Sequence, residues 1–165
     1  MPAVSNTSPI LGLAAINRLE LLQKQFENIL IPPAVVQELK LDTEFTGTAS
    51  IRQAIKEEWI RVQTPENIHL IASLRLDLDW GEAEAIALAL DKGISAIIMD
   101  ERDGRTTAKA MGLSPVGVIG ILLRAKKLGD VNSVSQALQA LKKNVGFFIS
   151  KSFEEEVLKE AGEFS

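Results

Sequence analysis

Short apolar, β-branched runs alternate with longer helix-forming segments along this chain, and that alternation leaves few architectures open. Ala3-Val4-Ser5, Ile29-Leu30-Ile31, Ile60-Arg61-Val62, Ala96-Ile97-Ile98-Met99 and the segment at Val116 read as strands. Alternating strands and helices predict a parallel sheet covered on both faces by helices. Ligands of such sheets bind beyond the carboxyl ends of the strands. Ile60-Arg61-Val62 reads as an edge strand, and Phe147-Phe148-Ile149 as a last strand.

The helices carry recognisable punctuation. Ser8-Pro9 offers an N-cap followed by proline at the first helical position, ahead of Ile10, Leu13, Ala14, Leu21 and Leu22 at helical spacing. Pro32-Pro33 opens a helix carrying Val35, Val36 and Leu39; another runs through Ile51, Ala54 and Ile55, and Pro65 opens a short one across Ile68 and Leu74. The alanine-rich segment from Glu82 to Leu90 is the most secure helix, because alanine has the best helix propensity; Gly93 ends it. A basic helix through Ala108, a helix through Ile121 and Leu122, and two helices over 133–141 and 153–161 complete the pattern. The reading is one domain over residues 1–165, with a core at 1–129 and a C-terminal helical extension at 130–165. Trp59, Trp80, Phe147 and Phe148 are expected to be packing residues.

Composition removes several chemistries. The chain has 165 residues, enough for one domain with a full core. There is no cysteine, so disulfides and thiolate metal sites are excluded. A single histidine, His69, rules out a histidine-rich zinc site, and no GxSxG elbow accompanies it. Any metal must be held by oxygen, which points to Mg²⁺ or Mn²⁺. No apolar run approaches the ~18 residues that span a bilayer, and the N-terminus has no signal-type run, so a cytoplasmic protein with no membrane association is expected. Net charge is -4, yet Arg102, Arg105, Lys109, Arg124, Lys126 and Lys127 form a basic stretch interrupted only by Asp103. That stretch could position an RNA backbone without reading its sequence or be a solvated helix face. Gly117 and Gly120 before a helix are weak evidence for phosphate binding, and close packing explains them.

Four acidic or amide residues stand where short strands end or helices begin: Asn6, Glu38, Glu82 and Asp100. Asn6 and Asp100 fall at strand C-termini, the informative place in a parallel sheet; as a plain alternative, Asp100 caps the helix that follows. Glu82 and Glu84 lie about 200° apart around a helix, so both cannot face one cleft. Glu82 shares the apolar side and is the preferred ligand; either could simply stabilise the helix start. Glu38 sits late in its helix, where an acid is electrostatically unfavourable. Asp103 is one turn beyond Asp100 and could reach the same ion or pair with Arg102 or Arg105. Carboxylates meeting in one cleft repel one another unless a cation joins them. A cation so held can polarise a phosphodiester and lower the pKa of water.

These segments resemble a known family. Val4-Ser5-Asn6-Thr7-Ser8-Pro9-Ile10, Pro33-Ala34-Val35-Val36-Gln37-Glu38-Leu39, Gly81-Glu82-Ala83-Glu84-Ala85-Ile86-Ala87-Leu88-Ala89 and Ile98-Met99-Asp100-Glu101-Arg102-Asp103-Gly104-Arg105 are similar to the four motifs of PIN domains. The branch they most resemble is that of VapC toxins, whose third motif reads GEAEA. The resemblance spans Ala3 to about Gly129. It implies a Rossmann-like three-layer α/β/α fold with a central parallel sheet. It implies a Mg²⁺- or Mn²⁺-dependent ribonuclease, an RNA substrate, an antitoxin partner and a homodimer. By position, the site acids fall on Asn6, Glu38, Glu82 and Asp100, with Asp103 beside the last and Thr7 or Ser8 supplying a hydroxyl; Arg102 or Arg105 would steady the phosphate. Asn6 departs from the family, which begins its site with aspartate. An amide oxygen still ligates Mg²⁺ but brings no charge.

Three functions compete. The first is a metal-dependent endoribonuclease of the toxin type. The second is a catalytically silent module that binds RNA or a protein partner, consistent with Asn6 and the net charge. The third is a phospho-acceptor domain using Asp100, which would need an acidic pair at the first strand's end that Asn6 does not supply.

Overall fold

The computed structural model describes residues 1–163, so the last two positions of the 1–165 domain reading lie outside the described residues. Five strands form one parallel sheet in the order β3-β2-β1-β4-β5. They are β1 (Ala3–Ser5), β2 (Ile29–Ile31), β3 (Ile60–Val62), β4 (Ala96–Ile98) and β5 (Ser114–Val116). The chain winds outward from β1 in one direction, then returns to β1 and winds the other way. The register sets Val4 opposite both Leu30 and Ile97. β1 and β4 therefore lie side by side at the point where strand order reverses, and crevices open at such points.

Strand alternation divides the core in two. Ala3, Ile29, Ile31, Ile60 and Ile98 point to one face, and Val4, Leu30, Ile97 and Met99 to the other. The first face is covered by α1 (Thr7–Ala15), α2 (Glu20–Phe26), α3 (Pro33–Leu39), α4 (Thr48–Lys56), α8 (Val118–Leu128) and α9 (Val134–Val145). The second is covered by α5 (Ile68–Leu74), α6 (Trp80–Lys92) and α7 (Arg102–Ala110). This is the three-layer α/β/α arrangement expected from the motifs. The final helix, α10 (Lys151–Glu160), packs on α8 and buries Val157 in the same core as α1 and α9. Arg61 and Val62 are exposed on β3, whose charged edge discourages further strand pairing. Among the described residues no helix is long and apolar enough to cross a membrane.

Three local expectations change. α1 begins at Thr7 with Asn6 as its N-cap, two residues before the expected cap at Ser8. Pro9 is then the third helical residue, where the missing N–H is still one that a helix leaves unpaired. The segment Phe147–Ile149 is not a strand. Phe147 and Ile149 pack against the helical layer while Phe148 is 87% exposed, so its alternating burial comes from lying across helices. Trp59 is buried, but Trp80 is half exposed, with the Arg75 guanidinium 4.5 Å from its ring centre.

Candidate active site

A cleft of about 610 Å³ opens beyond the carboxyl ends of β1 and β4. Its walls are formed by Asn6, Thr7, Ser8 and Leu11 at the end of β1 and in α1, by Glu38 of α3, and by Asp77, Asp79, Glu82, Glu101, Arg102 and Asp103 at the starts of α6 and α7.

Asn6 sits here because its backbone still belongs to the sheet. Its amide donates to Ile98 O at 2.9 Å, tying the end of β1 to β4. Its side chain is buried, 4% exposed, and Oδ1 has no hydrogen-bond partner. A buried acceptor without a donor is uncommon and calls for a reason such as an ion.

Glu38 is held at both oxygens. Thr7 Oγ1 donates to Oε1 at 2.6 Å, and the Gly81 amide donates to Oε2 at 3.1 Å. Gly81 also explains how Glu38 and Asn6 come together. A Cβ at residue 81 would lie 2.6 Å and 2.7 Å from the two Glu38 oxygens and 3.0 Å from Asn6 Oδ1. A larger residue here would push these oxygens away from the start of α6.

Glu82 is the third residue of α6 and is fixed by a capping box. Its amide donates to Asp79 Oδ1 at 2.8 Å, and the Asp79 amide donates back to Glu82 Oε1 at 3.1 Å. Oε2 remains for the cleft; a Cβ on Gly104 of α7 would approach it to 2.9 Å. Burial pushes the Glu82 carboxyl above its ordinary range; the bond its Oε1 accepts from the Asp79 amide opposes this, and the charges of Asp79 and Glu101 add to it. Glu84 is spoken for elsewhere: its Oε1 accepts the Ala34 amide at 3.0 Å, at the start of α3.

Asp100 is not among the residues that line the cleft. Its Oδ1 accepts the Val118 amide at 2.9 Å, at the start of α8. Glu101, not Asp100, is the N-cap of α7, so the capping role exists but serves a different helix. Burial raises the Asp100 pKa, against the Val118 bond and the Arg105 charge, which lower it. Arg105 turns inward, donating Nη1 to Met99 O at 2.9 Å. Arg102 and Asp103 face the cleft. His69 is exposed. Gly117 is needed for close approach: a Cβ there would meet Asp100 Oδ1 at 2.8 Å.

The family model DUF3368, a PIN domain, matches residues 2–163. The chain belongs to the PIN-domain superfamily. The match takes in α9 and α10, which lie beyond the stretch of motif resemblance that ends near Gly129. No curated protein and no solved structure matches the chain. PIN domains are generally nucleases, and the fold described above is of that nuclease type.

For a PIN domain, the oxygen donors here suit a hard divalent cation: a neutral amide oxygen with no partner, and carboxylates beside it. Among the described residues, no three acidic or imidazole side chains stand arranged to enclose an ion. The fit is therefore in donor chemistry and in the Asn6–Glu38 approach. Asp77, Asp79 and Glu101 escaped the sequence reading. Asp79 had a usable signal, since aspartate three residues before glutamate at a helix start is a capping box. Glu101 was masked by its neighbour, because only the direction of a side chain separates it from Asp100.

Proposed function

We propose that this protein is a Mg²⁺- or Mn²⁺-dependent endoribonuclease. The observation that carries the reading is the buried, partnerless Asn6 Oδ1 beside the doubly held Glu38 carboxylate, at a glycine where any side chain would push against all three oxygens. Asn6, Glu38 and Glu82 would hold the cation. When bound, it would polarise the phosphodiester and offset the negative charge that otherwise repels RNA.

The chain's own residues do the rest. Thr7 and Gly81 fix Glu38 so that its orientation is set before substrate arrives. The capping box does the same for Glu82. Arg102 supplies positive charge on the cleft wall for a phosphate oxygen. Asp103, exposed on the same wall, takes the proton as water attacks phosphorus and the opposite P–O bond breaks, the departing oxygen gaining its proton from solvent. Purified protein with Mn²⁺ is expected to cut single-stranded RNA. Glu38→Gln and Glu82→Gln are expected to abolish cutting, as is EDTA. Cleavage that persists in both variants would mean the cleft is not the site.

A second reading has one observation in its favour: Asn6 carries no charge where the family has an acid. On that reading the module is silent and binds RNA or a protein. Mn²⁺ calorimetry separates the two, since a silent module takes up no ion at millimolar concentration. The toxin role, antitoxin and homodimer rest on the motif resemblance alone; a small DNA-binding protein encoded next door would support them.

A further inference from the structure

The two adjacent carboxylates that follow β4 serve different places. Asp100 is built into a joint. Its Oδ1 holds the first amide of α8 at 2.9 Å, and Gly117 leaves the gap into which both Asp100 Oδ1 and Arg105 Nη1 fit, 2.8 Å and 3.2 Å from where a Cβ would stand. Arg105 in turn ties α7 to the end of β4 through Met99 O. Asp100 thus answers a helix-terminal N–H in a half-buried place, a bond whose loss would cost roughly 1–3 kcal/mol, and it does not line the cleft.

Glu101 has nothing to give up. It is exposed, it lines the cleft, and as N-cap of α7 its side chain makes no capping bond. Asp103 lines the same wall, but Glu101 is the one whose charge acts on Glu82. Asn6, whose buried Oδ1 has no partner, lines the same cleft, so the cleft holds more than an acidic cluster. We infer that Glu101, and not Asp100, is the carboxylate by which the fourth motif reaches the divalent cation, and that Asp100 is a positioning residue. Asp100 fixes where α7 leaves the sheet, and hence where Glu101 stands. This assignment rests on the metal-dependent reading above and departs from the position-by-position expectation that gave the role to Asp100.

The test uses the full chain, MnCl₂ calorimetry, thermal melting and amide hydrogen exchange. Glu101→Gln is expected to weaken Mn²⁺ binding about tenfold or more with the melting temperature little changed. Asp100→Asn keeps an acceptor oxygen for Val118, so Mn²⁺ affinity is expected to stay within about threefold, whereas Asp100→Ala lowers the melting temperature. In the wild type, the Val118 amide is expected to keep its exchange protection when Mg²⁺ saturates the protein. Protection lost on Mg²⁺ addition means that Asp100 has swung to the ion, and overturns the assignment even if the Asp100 variants do not fold. Binding lost in Asp100→Asn or Asp103→Asn but retained in Glu101→Gln overturns it too. Wild-type protein that takes up no Mn²⁺ would instead sink the metal-dependent reading itself, and this assignment with it.

Discussion

Two carboxylates far apart in the chain, Glu163 and Glu82, have opposite fates. Glu163, after α10, accepts the amides of Val134 and Ser135 at 2.7 Å and 3.0 Å, the Ser133 hydroxyl at 3.1 Å and the Lys126 ammonium at 3.0 Å. It clamps the last helix across the start of α9, where a negative charge also suits the helix dipole. Those donors outweigh burial and hold its pKa down to about 2. Glu82 has one amide on one oxygen, acidic neighbours and a raised pKa. A carboxylate with every lone pair answered is structural; one left under-satisfied among like charges awaits a cation.

The contrast can be broken most sharply at Gly81. Gly81→Ala would drive a methyl into both Glu38 oxygens and toward Asn6 Oδ1. RNA cleavage is expected to fall by about a hundredfold or more, as for a displacement of about 1 Å in a positioned group. Circular dichroism should show the fold retained, because the clamp lies elsewhere. Activity close to wild type would mean that Asn6 and Glu38 need not converge.

At the clamp, Glu163→Ala leaves two helix-terminal amides and Lys126 without their acceptor. A loss of about 2 kcal/mol is expected in urea unfolding, with cleavage unaffected. The pH dependence has a fixed sign. A depressed folded pKa contributes stability fully above the ordinary 4.5 and loses it as pH falls toward about 2. The difference between wild type and Glu163→Ala should therefore shrink through that window. A constant difference from pH 6 to pH 2 would show that the clamp does not depend on charge.

Glu82→Gln should do the reverse. A raised folded pKa means that the fold opposes ionisation, a penalty that appears as pH rises above 4.5 and through the folded value. Glutamine keeps Oε1 for the Asp79 amide and removes the charge. A slightly higher melting temperature at pH 7, absent at pH 4, is expected together with lost cleavage. Such stabilisation on removing a functional group is a known trade. A lower melting temperature at pH 7 would place Glu82 with Glu163, among the structural acids.

What could be read in the chain was periodic. Unbroken apolar runs at Ile29–Ile31 and Ala96–Met99, whose side chains alternate between the two faces of the sheet, and the alanine run of α6 announce a parallel sheet and its best helix, because each is a repeated signal. The two faces of the sheet follow from the same alternation. Phe147–Ile149 misled because three alternating residues look alike whether they cross helices or pair in a sheet. In the site, positions were legible and directions were not. Spacing brings Asn6, Glu38 and Glu82 to one cleft, but nothing in Asp100-Glu101 tells which carboxylate turns to α8. That depends on the gap at Gly117, a contact 17 residues away in sequence from Asp100.

The smallest change is Asn6→Asp, one atom exchanged at the centre of the cleft. The replacement adds a charge where Oδ1 already points without a partner, so the geometry of a first ligand is in place and only its charge is missing. In the metal-free protein the new carboxylate would be buried near Glu38 with no donor, so stability at pH 7 is expected to fall. With Mn²⁺ the order reverses, because ligand charge count tunes affinity for a hard cation. Calorimetry should show several-fold tighter binding, and Mn²⁺ should raise the melting temperature of Asn6→Asp by more than that of wild type. If the variant loses stability without gaining affinity, the empty oxygen of Asn6 is a packing consequence of tying β1 to β4, and the cation must be held by the opposite wall.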